Sequence, residues 1–303
     1  MILNSSSFYT NVLRIPEAKR GDWRVRHVRR PARHPFSLAT ARTQFIGGDA
    51  PGVMSFPKAT TWHELLQDDA VWMSDYPIEQ VQLDRDMDGL RGDVLVGGLG
   101  LGYVVTALAQ RPEVERVVVV ELSEAVIDLV WPHTLKGKAA RSKVELVHGD
   151  LFKYLKRTPA SFDGALYDIW ASDSEATFFD VVLPLLRLSV GNVRSRPRCW
   201  NERVMRAQLR FGLLGNLAMA KQDPSRLKRL CELETNPLRA KWMNWRVPFF
   251  QWYEREKPTL DVAMREAASF VERVGIPVEY QGRLGNTMES HGALGKAVHV
   301  GAW

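Results

Sequence analysis

The segment Val94-Leu95-Val96-Gly97-Gly98-Leu99-Gly100-Leu101-Gly102 has the residues a backbone needs to turn sharply and approach a ligand closely. A Cβ at those glycines would obstruct both, and peptide N–H groups at the start of a following helix can face an anionic group. Three carboxylates follow, each at the end of an apolar run: Glu121 after VVVV, Asp150 in VHGD and Asp168 in LYDIW. An acid about 20 residues beyond such a loop, at the carboxyl end of the next strand, can accept hydrogen bonds from ribose hydroxyls; the alternative for Glu121 is a solvated strand end. Asp150 can accept from the exocyclic amine of a base, or simply cap the helix that LFKYLKR predicts. Asp168 would point into the crevice where open α/β sheets bind ligands, able to hold an ammonium group or take a proton. A capping or solvated acid is the plainer reading there. Trp170 can stack on a ring or cation, or pack in a core. Asp173, Glu175 and Asn201 are weaker acceptor-side candidates near the same strand ends.

These residues need a frame. From Gly92 the runs GDVLVGG, VERVVVVEL, KVELVHGD and FDGALYDIW read as strands, with helical patterns such as YVVTALAQR, AVIDLVWPHTL and FFDVVLPLLRLSV between and after them. That alternation predicts an α/β fold, a Rossmann-like, doubly wound, mostly parallel sheet over residues 86–201. NVRSRPRCW is a candidate fifth strand, with Pro197 arguing against it. Residues 1–85 read as a β-rich segment: WRVRHVRR and SLATARTQF alternate with period two, and TTWHELLQDDAVWMSDYPIEQVQLDRDM mixes a short amphipathic element with a strand. Residues 202–273 read as a helical insertion or cap, with Pro224, Pro237 and Pro258 near helix starts. In 274–303, PVEYQGRLG and KAVHVGAW suggest a closing pair of antiparallel strands.

Composition narrows the class. The 303 residues are 45% hydrophobic and 25% charged, ordinary for a globular chain. Ten tryptophans must pack a core or line a pocket, and two cysteines, Cys199 and Cys231, make neither a disulfide framework nor a metal motif. No apolar run reaches the ~18 residues of a membrane helix. The first residues lack the basic-then-apolar order of a secretory signal, so a cytoplasmic enzyme is expected, with an acid-poor transit peptide carrying Arg14 as the lesser alternative. The net charge of +6 permits a polyanionic partner. The stretch Arg24-Val25-Arg26-His27-Val28-Arg29-Arg30, continuing to Arg33 and His34, is either a phosphate-contacting strand or an exposed face of alternating charge, the second favoured.

Residues 92–190 resemble the class I S-adenosylmethionine-dependent methyltransferases, and within them the spermidine-synthase-like branch. The resemblance rests on VLVGGLGLG, VVVVELSEAVIDL, VHGDLFKYL and FDGALYDIW, in that order and spacing, over about a third of the chain. It implies S-adenosyl-L-methionine as cofactor, with Gly98, Gly100 and Gly102 forming its loop, Glu121 on the ribose, Asp150 on the adenine side and Asp168 at the reaction centre. Gly97, Leu99, Leu122 and Leu151 join the cofactor-binding set beside them. The strand-rich segment before the core is loosely similar to the small N-terminal β domain of that branch.

The departures bear on the reaction. Polyamine synthases carry an acid in the glycine loop where this chain has Leu101, and Ser-Asp-Pro after the fourth-strand acid where it reads Ile169-Trp170-Ala171-Ser172. Their Tyr-His-Glu segment has only Tyr76-Pro77-Ile78-Glu79 as a counterpart. Methyl transfer therefore leads and aminopropyl transfer comes second. DNA base methylation by the familiar routes is disfavoured, since Asp168-Ile169-Trp170 has no proline pair and Cys199 follows Arg198, while RNA or protein substrates stay open. The expected acceptor is a small molecule or RNA. A third reading is a nucleic-acid-binding protein with a degenerate core. No metal site is expected, since the seven histidines, His133 and His148 among them, are scattered. The insertion 202–273 could cover the acceptor site or build a homodimer contact. Its aromatics Trp242, Trp245, Phe249, Phe250, Trp252 and Tyr253 more simply pack its helices on the sheet.

Overall fold

Four apolar runs separated by helices pair as parallel strands, three of them inside the sheet and Val144–His148 at its edge. The computed structural model describes residues 14–37, 53–135, 138–232 and 243–280, together with 235, 237 and 240. The first strands are β1 (Ala18–Arg20), β2 (Trp23–Arg30), β3 (Phe36–Ser37), β4 (Val53–Met54), β5 (Thr60–Gln67) and β6 (Ala70–Ser74), leading into helix α1 (Pro77–Asp86). The core follows as β7 (Gly92–Gly97), α2 (Tyr103–Ala109), β8 (Val114–Glu121), α3 (Glu124–Thr134), α4 (Lys138–Ser142), β9 (Val144–His148), α5 (Leu151–Arg157) and β10 (Gly164–Tyr167). Then come α6 (Glu175–Thr177), a π-helical turn (Phe178–Val182), α7 (Leu183–Ser189) and β11 (Arg198–Cys199). Four longer helices complete the described chain: α8 (Glu202–Gln222), α9 (Pro224–Cys231), α10 (Val247–Glu256) and α11 (Leu260–Arg273).

The core sheet runs β11-β10-β7-β8-β9, and its neighbours are all parallel. Val94–Val96 and Val117–Val120 are buried, as interior strands require. This is a Rossmann-like, doubly wound arrangement. The chain winds outward from β7 through β8 to β9, then crosses back to β10 on the other side of β7. The carboxyl ends of β7 and β10 therefore flank the switch point where such sheets hold ligands.

The N-terminal segment forms a second, antiparallel sheet in the order β1-β2-β5-β6. Ile15, Trp23, Val25, Leu65 and Met73 belong to the same buried cluster as the core strands, and β1 and β2 lie against α3. The segment TTWHELLQDDAVWMSDYPIEQ thus makes a hairpin followed by a helix. Its strands do not alternate because polar residues are buried too. His63 is bonded to Asp75 at 2.6 Å, and Glu64 accepts from Tyr76 at 2.6 Å and from Arg26 at 2.9 Å.

NVRSRPRCW supplies only the two residues of β11, which begin directly after Pro197, where the missing N–H no longer interrupts pairing. The closing strand expected at PVEYQGRLG is not formed where it is described. Val278–Tyr280 turn helically instead, behind Pro277, whose fixed φ suits a helix start. KAVHVGAW, most of SLATARTQF and Trp242 lie outside the described residues. The aromatics of the helical segment meet one another across helices: Trp245 stacks on Phe270 with centroids 6.2 Å apart, and Phe249 meets Phe250, Trp252 and Phe270.

Candidate functional site

Strand-end geometry brings the loop and its acids to one edge of the sheet. The Asp168 N–H donates to the Gly97 carbonyl at 2.9 Å, so the end of β10 lies directly beside the start of the glycine loop. The Gly149 N–H donates to the Glu121 carbonyl at 2.8 Å, which joins the ends of β8 and β9. Leu151, at the start of α5, packs against Gly97. Gly97, Gly98, Leu99, Gly100, Gly102, Glu121, Leu122, Asp150, Leu151 and Asp168 thus form one continuous edge.

Gly98 and Gly100 are among the loop glycines with positive φ, where a side chain is strained. Gly98 has φ +92°, and a Cβ there would collide with the Asp168 carbonyl oxygen. Gly100 has φ +52°, and a Cβ there would run into the Met73 thioether from β6. The loop amides are mostly committed internally. Gly98 N–H donates to the Val120 carbonyl at 2.9 Å, Gly102 N–H to the Leu99 carbonyl at 2.8 Å, and Leu99 N–H to Glu121 Oε2 at 2.7 Å. Leu101 N–H donates to Met73 Sδ at 3.2 Å.

Glu121 is buried, and its other oxygen, Oε1, accepts from the Ser123 N–H at 2.8 Å. A carboxylate oxygen can accept more than one hydrogen bond, so a lone pair on each remains for a ligand's hydroxyls. The adjoining Leu122 is 67% exposed, an apolar side chain at the rim of a polar edge, where the flat face of a base could lie. On this side the residues suit an adenosyl nucleoside. Asp150 is the N-cap of α5: Oδ1 accepts from the Lys153 N–H at 2.9 Å. Capping occupies one oxygen and leaves the second for a base amine.

On the other side of the switch point, Asp168 is half-buried. Asp173 and Asn201 are buried and meet each other at 3.4 Å, Asn201 taking the left-handed conformation (φ 54°) where β11 turns into α8. Trp170 is buried in the core cluster, and Glu175 is held by Arg246 at 2.6 Å.

No local pattern marks Asp86, the last residue of α1. Burial pushes its carboxyl up to about 8, opposed by Arg198 and reinforced by Asp168 and Glu202. Asp86 therefore adds a protonatable group to the charges around Asp168. Behind them, Glu202 Oε1 accepts from Arg206 at 2.7 Å and also from Arg196. Burial works against its charge, but the two guanidinium groups outweigh that and hold the carboxyl below its ordinary value.

Three arginines of the basic N-terminal strands are ion-paired: Arg20 with Asp128, Arg24 with Asp69 and Arg26 with Glu64. Among the described residues no His/Cys/Asp/Glu group could hold a metal, and no helix is long and apolar enough to cross a membrane.

No protein-family model matches the chain, and no curated protein matches it. Solved structures do. Spermidine synthase from Thermotoga maritima is 16% identical, with 37% of this chain and 44% of that chain covered and a TM-score of 0.27. The glycopeptide N-methyltransferase MtfA complexed with sinefungin is 16% identical, with 40% and 48% covered and a TM-score of 0.31. PigF with SAH is 22% identical, with 38% and 33% covered and a TM-score of 0.29. The chain thus spans less than half the length of each of these proteins.

Proposed function

We propose that this chain is a transferase that binds S-adenosylmethionine along Gly97–Gly102 and moves its methyl group, without a metal, to an acceptor held beside Asp168. What carries the reading is the convergence at one switch point of a glycine loop, a strand-end glutamate with acceptor capacity left on both oxygens, an exposed Leu122 and a half-buried Asp168. The bound nucleoside supplies an activated methyl on its sulfonium. The protein's part is alignment, which can contribute ~7 kcal/mol or more. Glu121 accepts the ribose hydroxyls, Asp150 offers its second oxygen to the base, and Leu122 covers the ring. Asp168 orients an acceptor N–H or O–H or takes its proton. Asp173, Asn201 and Trp170 shape the acceptor side from beneath.

The acceptor in this reading is a small molecule or an RNA, in the cytoplasm and away from membranes. A homodimer would form through the helices after Asn201.

Calorimetry with S-adenosylmethionine, S-adenosylhomocysteine and the decarboxylated cofactor tests the proposal. Saturable binding is expected, reduced roughly tenfold or more in Glu121→Ala, as loss of charged hydrogen bonds implies. Absence of binding, or unchanged affinity in a folded Glu121→Ala, refutes it. A clear preference for the decarboxylated form would make the reaction aminopropyl transfer instead.

A further inference from the structure

On the ribose side Glu121 keeps acceptor capacity on both oxygens, while the crest of the loop is covered. Met73 reaches from β6, opposite Leu65, and is buried. Its thioether lies against Gly100, where an added Cβ would run into it, and takes the N–H of Leu101 at 3.2 Å. The other partnered amides of the loop, those of Gly98, Leu99 and Gly102, donate to oxygen. Thioether sulfur is a weak acceptor, and methionine is unbranched with three rotatable bonds. Met73 is therefore a contact on the loop that is both close and carried by a flexible side chain.

We propose that Met73 is a displaceable stopper that sets how bulky a substituent on the nucleoside's 5′-sulfur the loop admits. The inference rests on the proposed nucleoside site. Whatever extends from the 5′ position over Gly100 must share space with the thioether. A small substituent leaves Met73 seated, and a long one swings it off Gly100 and disturbs β6. The N-terminal sheet thereby reports the length of the bound nucleoside's tail, and Met73 is a specificity-determining residue on an element outside the Rossmann core.

The test compares two probes, 5′-methylthioadenosine, with only a methyl on sulfur, and S-adenosylhomocysteine, with the full amino-acid chain. In the wild type the first should bind more tightly. Met73→Ala should strengthen S-adenosylhomocysteine binding roughly tenfold, leave 5′-methylthioadenosine within about twofold, and so narrow the ratio. Met73→Leu keeps the bulk and should keep the discrimination. Because Met73→Ala opens a buried site, a second measurement uses the wild type: with methyl-13C methionine, the resonance that disappears in Met73→Leu should shift on adding S-adenosylhomocysteine and stay put with 5′-methylthioadenosine. Equal binding of both probes with an unmoved Met73 methyl overturns the stopper and leaves the nucleoside site standing. If neither probe binds the wild type, the proposed function falls and the stopper with it.

Discussion

Asp86 shows what a single carboxyl can reveal about a site. Its folded value of about 8 lies far above the ordinary 3.8, mainly because burial disfavours its charge. Between those two pH values the folded chain holds a proton there and the unfolded chain does not. Stability from this group must therefore fall as pH rises from about 4 to about 8, with a slope of at most about 1.4 kcal/mol per pH unit. Above about 8 both states are ionised and the slope disappears. Asp86→Asn removes the titration, so urea unfolding at pH 5 and pH 8 should show the variant gaining on the wild type at the higher pH. Parallel curves would mean that Asp86 ionises normally. The sequence could not have singled it out. QVQLDRDMD carries three acids at ordinary surface spacing, and Asp86 is set apart by burial and by Arg198, Asp168 and Glu202, all remote in the chain.

Elements were legible where their signals are local. VVVVEL and GDVLVGG are apolar because both faces of an interior parallel strand are covered, and the glycine turn follows from its own backbone needs. The β5–β6 hairpin was harder to read, since His63 and Glu64 sit buried mid-strand and are satisfied by partners that no periodicity announces. PVEY misled through β-branched and aromatic residues whose placement is decided by Pro277. The attachment of α8 is another long-range matter. Glu202 bridges Arg196, just before β11, to Arg206 in the helix, and Arg206 reaches the Val271 carbonyl at the end of α11. Removing the acid leaves two largely buried guanidinium groups without their shared partner. Glu202→Gln should therefore cost about 3 kcal/mol. Urea midpoints would measure it, and a loss below about 1 kcal/mol would show that the network is dispensable. Because α8 starts at Asn201, the same variant should loosen the acceptor side more than the nucleoside side.

At the scale of the whole molecule, the N-terminal sheet shares one buried core with the Rossmann strands, so its charge is fixed relative to the site. The net charge of +6 invites an RNA partner, yet charge that already has an acid partner binds phosphate poorly. Arg20, Arg24 and Arg26 face Asp128, Asp69 and Glu64, which leaves Arg29 and Arg33 as exposed cations of this stretch with no acid paired to them among the described ion pairs. Each phosphate neutralised on a single strand adds about −0.7 to the slope of log Kobs against log salt. Two such contacts predict a slope near −1.4 and weak affinity at physiological salt. Titrating a generic single-stranded RNA at several salt concentrations measures this directly. A slope of about −4 or steeper with tight binding would require the paired arginines to give up their acids for phosphate, and RNA would become the favoured acceptor. A shallow slope that flattens further in Arg29→Ala leaves the small-molecule acceptor ahead.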